Sequence, residues 1–124
     1  MPLLFVYGTL KAGGCRHHYL QGAAFLSAAT AELGYTLYDC GEYPAMVPAD
    51  GSCVIGELYS VSTQLLDEVL DEVEGRPDWY DHVEIELQDT KGQRVRAFAY
   101  LYQLPVTGLK PLGSEWSEAL SRRG

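Results

Sequence analysis

The sequence predicts a single α+β domain: a small mixed sheet of about six short strands, curled or closed into a barrel, with flanking helices. Three observations lead there. Short apolar or alternating runs, punctuated by glycine and proline, recur from residue 3 to residue 102. One segment, 63–74, repeats its apolar residues at helical spacing instead. The length of 124 residues suits one domain, 1–124, and 47% apolar with 21% charged residues is enough for one modest core.

Taken in order, residues 3–7 are apolar throughout and read as a strand buried on both faces. The run stops at Gly8, and 8–14 holds three glycines, a loop. Residues 23–30 are small and Ala-rich, a pattern that suits helix and strand alike. Residues 33–37 resemble a strand, 39–44 a turn-rich connection and 45–47 a short extended piece. Residues 53–60 alternate as a strand, where Gly56 marks either a bulge or a close backbone approach. In the helical segment, Leu65, Leu66, Val69, Leu70 and Val73 share a face, with Asp67, Glu68, Asp71 and Glu72 between them. Ser62 or Thr63 supplies its cap, and Gly75 with Pro77 its stop. Val83, Ile85 and Leu87 alternate with Glu84, Glu86 and Gln88, a half-buried strand joined by a turn at 90–92 to an antiparallel partner over 94–102. Beyond Pro105 the pattern weakens to a final helical turn around Trp116 and Leu120.

Nine Lys and Arg against 17 Asp and Glu give a net charge of -8, which repels phosphate backbones and anionic membranes. Neither nucleic acid nor a membrane is therefore expected as a partner. No apolar run approaches the length of a membrane span, and residues 1–6 lack the basic region of a signal peptide. Cys15, Cys40 and Cys53 form no CxxC pair, so a reducing, cytoplasmic setting is expected. Cys15, His17 and His18 lie close in sequence but have no fourth ligand at a suitable spacing, and no metal site is expected. Gly8 and Gly13 have the spacing of a phosphate-binding loop, yet Gly14 and Cys15 stand where Lys and Ser or Thr are needed. No nucleotide cofactor is expected.

Glu74 is set apart among the carboxylates. It continues the i, i+4 row of Leu66 and Leu70 at the edge of the apolar stripe, and it is the last residue before Gly75. A carboxylate in partly apolar surroundings has its charged form disfavoured, which suits general acid and base work. Tyr7, Gly8, Thr9 and Leu10 follow a buried strand, where successive backbone amides can converge on an anion. Of the nine tyrosines, Tyr7, Tyr43, Tyr80 and Tyr100 lie beside a turn or near a strand end, where a hydroxyl can line a pocket. Arg94 and Arg96 are read as lying on opposite strand faces, one toward solvent and the other a candidate to meet an anion. The same patterns also fit an acidic helix end, a tight turn and core-packing tyrosines.

The run Phe5-Val6-Tyr7-Gly8-Thr9-Leu10-Lys11-Ala12-Gly13 closely resembles the opening of the gamma-glutamylcyclotransferase-like family, with its AIG2-like and gamma-glutamylamine cyclotransferase branches. The resemblance continues through His17, Leu20, Tyr43-Pro44 and Gly56-Glu57-Leu58-Tyr59. It is strongest again from Leu70 to Tyr80, a stretch containing Glu74-Gly75-Arg76-Pro77, and covers roughly the first hundred residues. It implies a compact mixed barrel and a cofactor-independent enzyme, releasing 5-oxo-L-proline from a small gamma-glutamyl amide. It places the catalytic glutamate on Glu74, the substrate-binding loop on Tyr7, Gly8, Thr9 and Leu10, and a pocket tyrosine on Tyr100. Tyr43 and Tyr80 fall within its motifs as further substrate-binding candidates. His82 is a departure: family members usually carry arginine there, so the cation is weaker and pH-dependent, which bears on substrate range. A monomer or weak homodimer is the expected state. The rival reading is a non-catalytic module that holds a small amino-acid-derived ligand in the same cleft.

Overall fold

The computed structural model describes residues 2–8, 20, 23–31, 34–39, 44–49, 53–70 and 80–113, the backbone only at 68–70. It contains β1 (Leu3–Val6), β2 (Ala24–Ala31), β3 (Tyr35–Asp39), β4 (Pro44–Pro48), β5 (Val54–Ser60), a π-helical segment Leu65–Leu70, β6 (Tyr80–Asp89), β7 (Arg94–Tyr102) and β8 (Lys110–Gly113). Five strands close into a barrel in the order β1-β5-β2-β6-β7. Its ladders are antiparallel except at the closure, where β1 runs parallel to β7 with Leu4 opposite Phe98 and Phe5 opposite Ala99. The other three form a second antiparallel sheet, β4-β3-β8. The segments 53–60, 83–87 and 94–102 thus share one curled sheet, and the last two are hairpin partners, as their alternation predicts.

β1 is buried on both faces because it is wanted on both. Phe5 enters the barrel interior with Leu58, Ile85, Leu87, Ala29, Ala97 and Ala99. Leu4 and Val6 face outward into a second cluster with Tyr59, Val61, Leu66, Tyr80 and Tyr100. From the second sheet, the fully buried Leu37 and Met46 join the interior cluster. A five-stranded barrel has a narrow bore, so large interior side chains must alternate with small ones. That explains β2. Alanine suits helix and strand alike, but Ala29 and Ala31 face the interior across from Gly56 and Val54, and the ladder to β5 decides the matter. A bulge between Phe25 and Ser27 interrupts that ladder.

At Gly56 the close approach, rather than the bulge, is what the structure shows. A Cβ there would run into the Val6 carbonyl oxygen and lie 2.8 Å from the Phe5 ring. β8 had no sequence signature because Lys110-Pro111-Leu112-Gly113 has one large apolar residue and a proline. Its place at the edge of the second sheet tolerates that proline, and β4, the other edge, likewise begins and ends on Pro44 and Pro48.

The helical segment differs from expectation in type. Ser62 is the cap: its hydroxyl accepts the Leu65 N–H at 3.0 Å, and its carbonyl accepts the Leu66 N–H at 3.1 Å. Over Leu65–Leu70 the coil is then π rather than α. Apolar spacing identifies which face is buried, here through Leu65 and Leu66, but not which carbonyl each amide selects. Residues 71–74 of the expected helix, its Gly75 and Pro77 stop, and the turn at Trp116 and Leu120 lie outside the described residues. No helix among the described residues is long and apolar enough to cross a membrane.

Gly56→Ala is expected to destabilise the domain by about 1–3 kcal/mol, because the backbone oxygen of Val6 has nowhere to move without opening the β1–β5 ladder. Denaturant titration against the wild type checks this, and an unchanged midpoint with an unchanged slope would contradict it.

Candidate active site

The site forms where β1 runs out beside the β6–β7 hairpin. Tyr7 follows β1 directly; its ring lies 6.4 Å from Phe5 among the interior residues, and its hydroxyl donates to the Tyr100 carbonyl. Gly8 then passes Pro44 so closely that a Cβ would stand 2.7 Å from the proline Cγ. The Tyr80 hydroxyl donates to the carbonyl of the same Pro44 at 2.7 Å. The Tyr100 hydroxyl reaches the Leu66 carbonyl at 3.5 Å. Three backbone carbonyls thus link these residues: Tyr7 donates to that of Tyr100, Tyr80 to that of Pro44, whose ring also lies against Gly8, and Tyr100 to that of Leu66. The hairpin register explains the grouping. Tyr80 opposes Tyr102 and His82 opposes Tyr100, and residues two apart on each strand share a face. On that outer face Tyr80 meets Tyr102 edge-to-face at 5.3 Å, and His82 meets Phe98 at 5.2 Å and Tyr100 at 6.0 Å.

Thr9, Leu10, Tyr43 and Glu74 lie outside the described residues, as do Cys15, His17, His18 and Cys40. The segments that carry Thr9, Leu10, Tyr43 and Glu74 join the described chain at Gly8, at Pro44, and at Leu70 and Tyr80. Pro44 falls within the resembling motif and Leu66 on the apolar helix face, but the sequence marks neither as a site candidate from its side chain. Their contribution is a main-chain oxygen, which any residue supplies and no motif announces.

Charge on the described surface is mostly solvated. Arg96 pairs with Glu84 across the hairpin at 3.2 Å, with both side chains well exposed, and contributes little to stability. Arg94 and Arg96 do not lie on opposite faces as expected: two apart on β7 they share one face, and both are exposed, so neither is set inward to meet an anion. Among the described residues no three His, Cys, Asp or Glu side chains are grouped to hold a metal ion. Among the described residues Tyr59 has a perturbed pKa. It is buried beside Leu4, Val6 and Leu66, and its hydroxyl donates to Glu57 Oε1 at 3.0 Å. Desolvation, then the hydrogen bond and the charge of Glu57, push its pKa up from 10.0 to about 12.

A five-stranded barrel with a second small sheet, and a tyrosine cluster beside the turn after its first strand, define the class. The model of the family described as gamma-glutamyl cyclotransferase, AIG2-like, matches residues 4–118, and the chain belongs to that family. It is 41% identical over 101 residues to gamma-glutamylaminecyclotransferase B of Danio rerio, covering 74% of this chain and 52% of that protein. It is 39% identical over 101 residues to a putative gamma-glutamylcyclotransferase of Vibrio cholerae, covering 82% of each. The crystal structure of an AIG2-like protein from Mus musculus superposes with a TM-score of 0.83 at 30% identity, covering 94% of this chain and 88% of the mouse chain. The chain spans between 52% and 66% of the length of the three zebrafish gamma-glutamylaminecyclotransferases it matches.

A raised folded-state pKa means that the Tyr59 contribution is fully present below pH 10 and is lost as pH climbs through about 12. Wild type should therefore lose stability relative to Tyr59→Phe across that window and run parallel to it below. Unfolding free energies of both proteins from neutral to strongly alkaline pH check this; parallel curves throughout would contradict it.

Proposed function

We propose that the chain is a gamma-glutamyl cyclotransferase that releases 5-oxo-L-proline from a small gamma-glutamyl amide. The observation that carries this reading is the gathering of Tyr7, Gly8, Tyr80 and Tyr100 at one place in a chain whose family match spans residues 4–118. The names of relatives called gamma-glutamylaminecyclotransferases support a simple amine, rather than the amino group of an amino acid, as the leaving group.

The chemistry needs no cofactor. The substrate's own alpha-amine attacks its gamma-carbonyl, forming the ring C–N bond, and collapse of the tetrahedral intermediate breaks the C–N bond to the leaving amine. The nucleophile is already tethered, so most of the entropic cost of encounter is absent. In this reading Glu74 takes a proton from the alpha-ammonium group and delivers one to the departing amine. Such transfer ordinarily contributes about a hundred- to ten-thousand-fold in rate. Backbone amides at Gly8, Thr9 and Leu10 supply donors for the alpha-carboxylate or for the developing oxyanion, each worth on the order of 3 kcal/mol when well placed. In this reading Tyr43, Tyr80 and Tyr100 contact the substrate; the Tyr80 hydroxyl donates to the Pro44 carbonyl and that of Tyr100 reaches the Leu66 carbonyl. Tyr7 anchors the loop, since its hydroxyl is engaged by Tyr100.

Glu74→Gln keeps the volume and hydrogen-bonding capacity of the side chain but cannot accept a proton from an ammonium group. It should lower turnover at least about a hundredfold on a gamma-glutamyl amide that the wild type cyclises, with its melting curve little changed. Glu72→Gln, from the other flank of the same sequence segment, should change the rate little. Equal rates for wild type and Glu74→Gln would remove Glu74 from the mechanism, and a loss matched by unfolding would leave it a structural role.

A further inference from the structure

We infer that Pro44 is a positioning residue: its ring, seated against the backbone of Gly8, fixes the course of the chain as it leaves β1 for the candidate substrate loop. Gly8 is buried, and a Cβ built on it would stand 2.7 Å from Pro44 Cγ and 2.8 Å from Cδ, closer than real side chains pack. Backbone conformation does not account for the glycine. Positive φ falls at Gly34, Gly92 and Gly108, whereas Gly8 lies outside the left-handed region. Space accounts for it: among the described residues, the Pro44 ring is what a side chain at position 8 would meet. A proline ring makes a stiff wall, because its φ is locked and its atoms cannot swing aside as those of a longer side chain can. Pro44 is itself well seated. It is buried at the start of β4 opposite Asp39, and its carbonyl accepts the Tyr80 hydroxyl at 2.7 Å. One residue of the second sheet thus touches the end of β1 with its ring and the start of β6 with its oxygen. The Gly8 carbonyl and the Thr9 amide share one planar peptide, so a displacement at Gly8 re-aims the first donor that follows it.

The consequence for turnover rests on the cyclotransferase reading above; the contact itself does not. Three full-chain variants separate the two: Gly8→Ala, Pro44→Ala, and both changes together. Three quantities are read: kcat and KM per folded molecule on a gamma-glutamyl amide, the melting temperature, and the NMR resonance of the Gly8 amide. Gly8→Ala should lower kcat/KM at least roughly tenfold, because the added methyl drives the chain off the ring and small misplacements near a reacting centre are costly. Pro44→Ala should lower it roughly three- to tenfold and move the Gly8 resonance. Ring and methyl compete for one space, so the double variant should turn over faster and melt higher than Gly8→Ala alone. Losses that simply multiply in the double variant would overturn the proposal, as would a Gly8→Ala protein as active as the wild type or a Gly8 resonance unmoved in Pro44→Ala. A melting temperature restored in the double variant without kcat/KM would leave the contact a structural one and overturn the positioning role. Should Gly8→Ala fail to fold, a double variant that folds supports the contact and one that does not overturns it. If the wild type cyclised no gamma-glutamyl amide, the functional reading would fall, while the melting temperatures and the Gly8 resonance still decided whether Pro44 holds the backbone there.

Discussion

Four residues, Leu3–Val6, close the barrel by lying antiparallel to β5 on one side and parallel to β7 on the other, and the position of each described site residue follows from that closure. The pairing with β7 is short, Leu4 to Phe98 and Phe5 to Ala99, so ladder hydrogen bonds alone are a thin seam. Burial on both faces makes up the difference. Leu4, Phe5 and Val6 are almost fully removed from water, and burying a large apolar side chain is worth about 1.5–3 kcal/mol. The glycine at position 56 lets the neighbouring strand slide under Phe5 and the Val6 carbonyl. A barrel closed in this way delivers the end of β1, and hence Tyr7 and Gly8, to the ends of β6 and β7 where Tyr80 and Tyr100 stand.

What the closure brings together, tyrosine hydroxyls hold. Tyr7 ties the end of β1 to β7, Tyr80 ties β6 to the start of β4, and Tyr100 reaches the helical segment. Each is a side chain with an apolar body for the core and one polar tip for a backbone oxygen, which is why tyrosine rather than phenylalanine or serine suits these positions. The second sheet is drawn into the same arrangement from two directions, through Leu37 and Met46 in the interior and through Pro44 at the site. Packing and site geometry are therefore one problem in this domain: the tyrosines that complete the core are also those gathered at the candidate site.

The strands of the barrel were legible wherever a half-buried face forced alternation, as in 53–60 and 83–87, or where burial on both faces produced an unbroken apolar run, as in 3–7. They were illegible where the deciding force was tertiary. The Ala-rich segment became β2 because its ladder to β5 and the narrow bore demanded small side chains, and a local window contains neither. β8 carries no local signature because an edge strand needs little hydrophobicity and tolerates proline. At the site, Tyr7, Gly8, Tyr80 and Tyr100 could be named in advance because each borders a turn or strand end, whereas their carbonyl partners on Pro44 and Leu66 could not. The contact between His82 and Tyr100 follows from register alone, once the hairpin turn is placed at 90–92.

Conversion of the ligand, rather than its retention, is what separates an enzyme from a binding module at this site. Incubating the full chain with a panel of gamma-glutamyl amides, and quantifying 5-oxo-L-proline and the freed amine in the same samples, tests it most directly. At least one amide should be consumed with the two products appearing in equal amounts, over many turnovers and without added metal or nucleotide. Saturable binding of gamma-glutamyl compounds with no 5-oxo-L-proline released from any of them would contradict it, and would make the domain a binding module built on the same barrel.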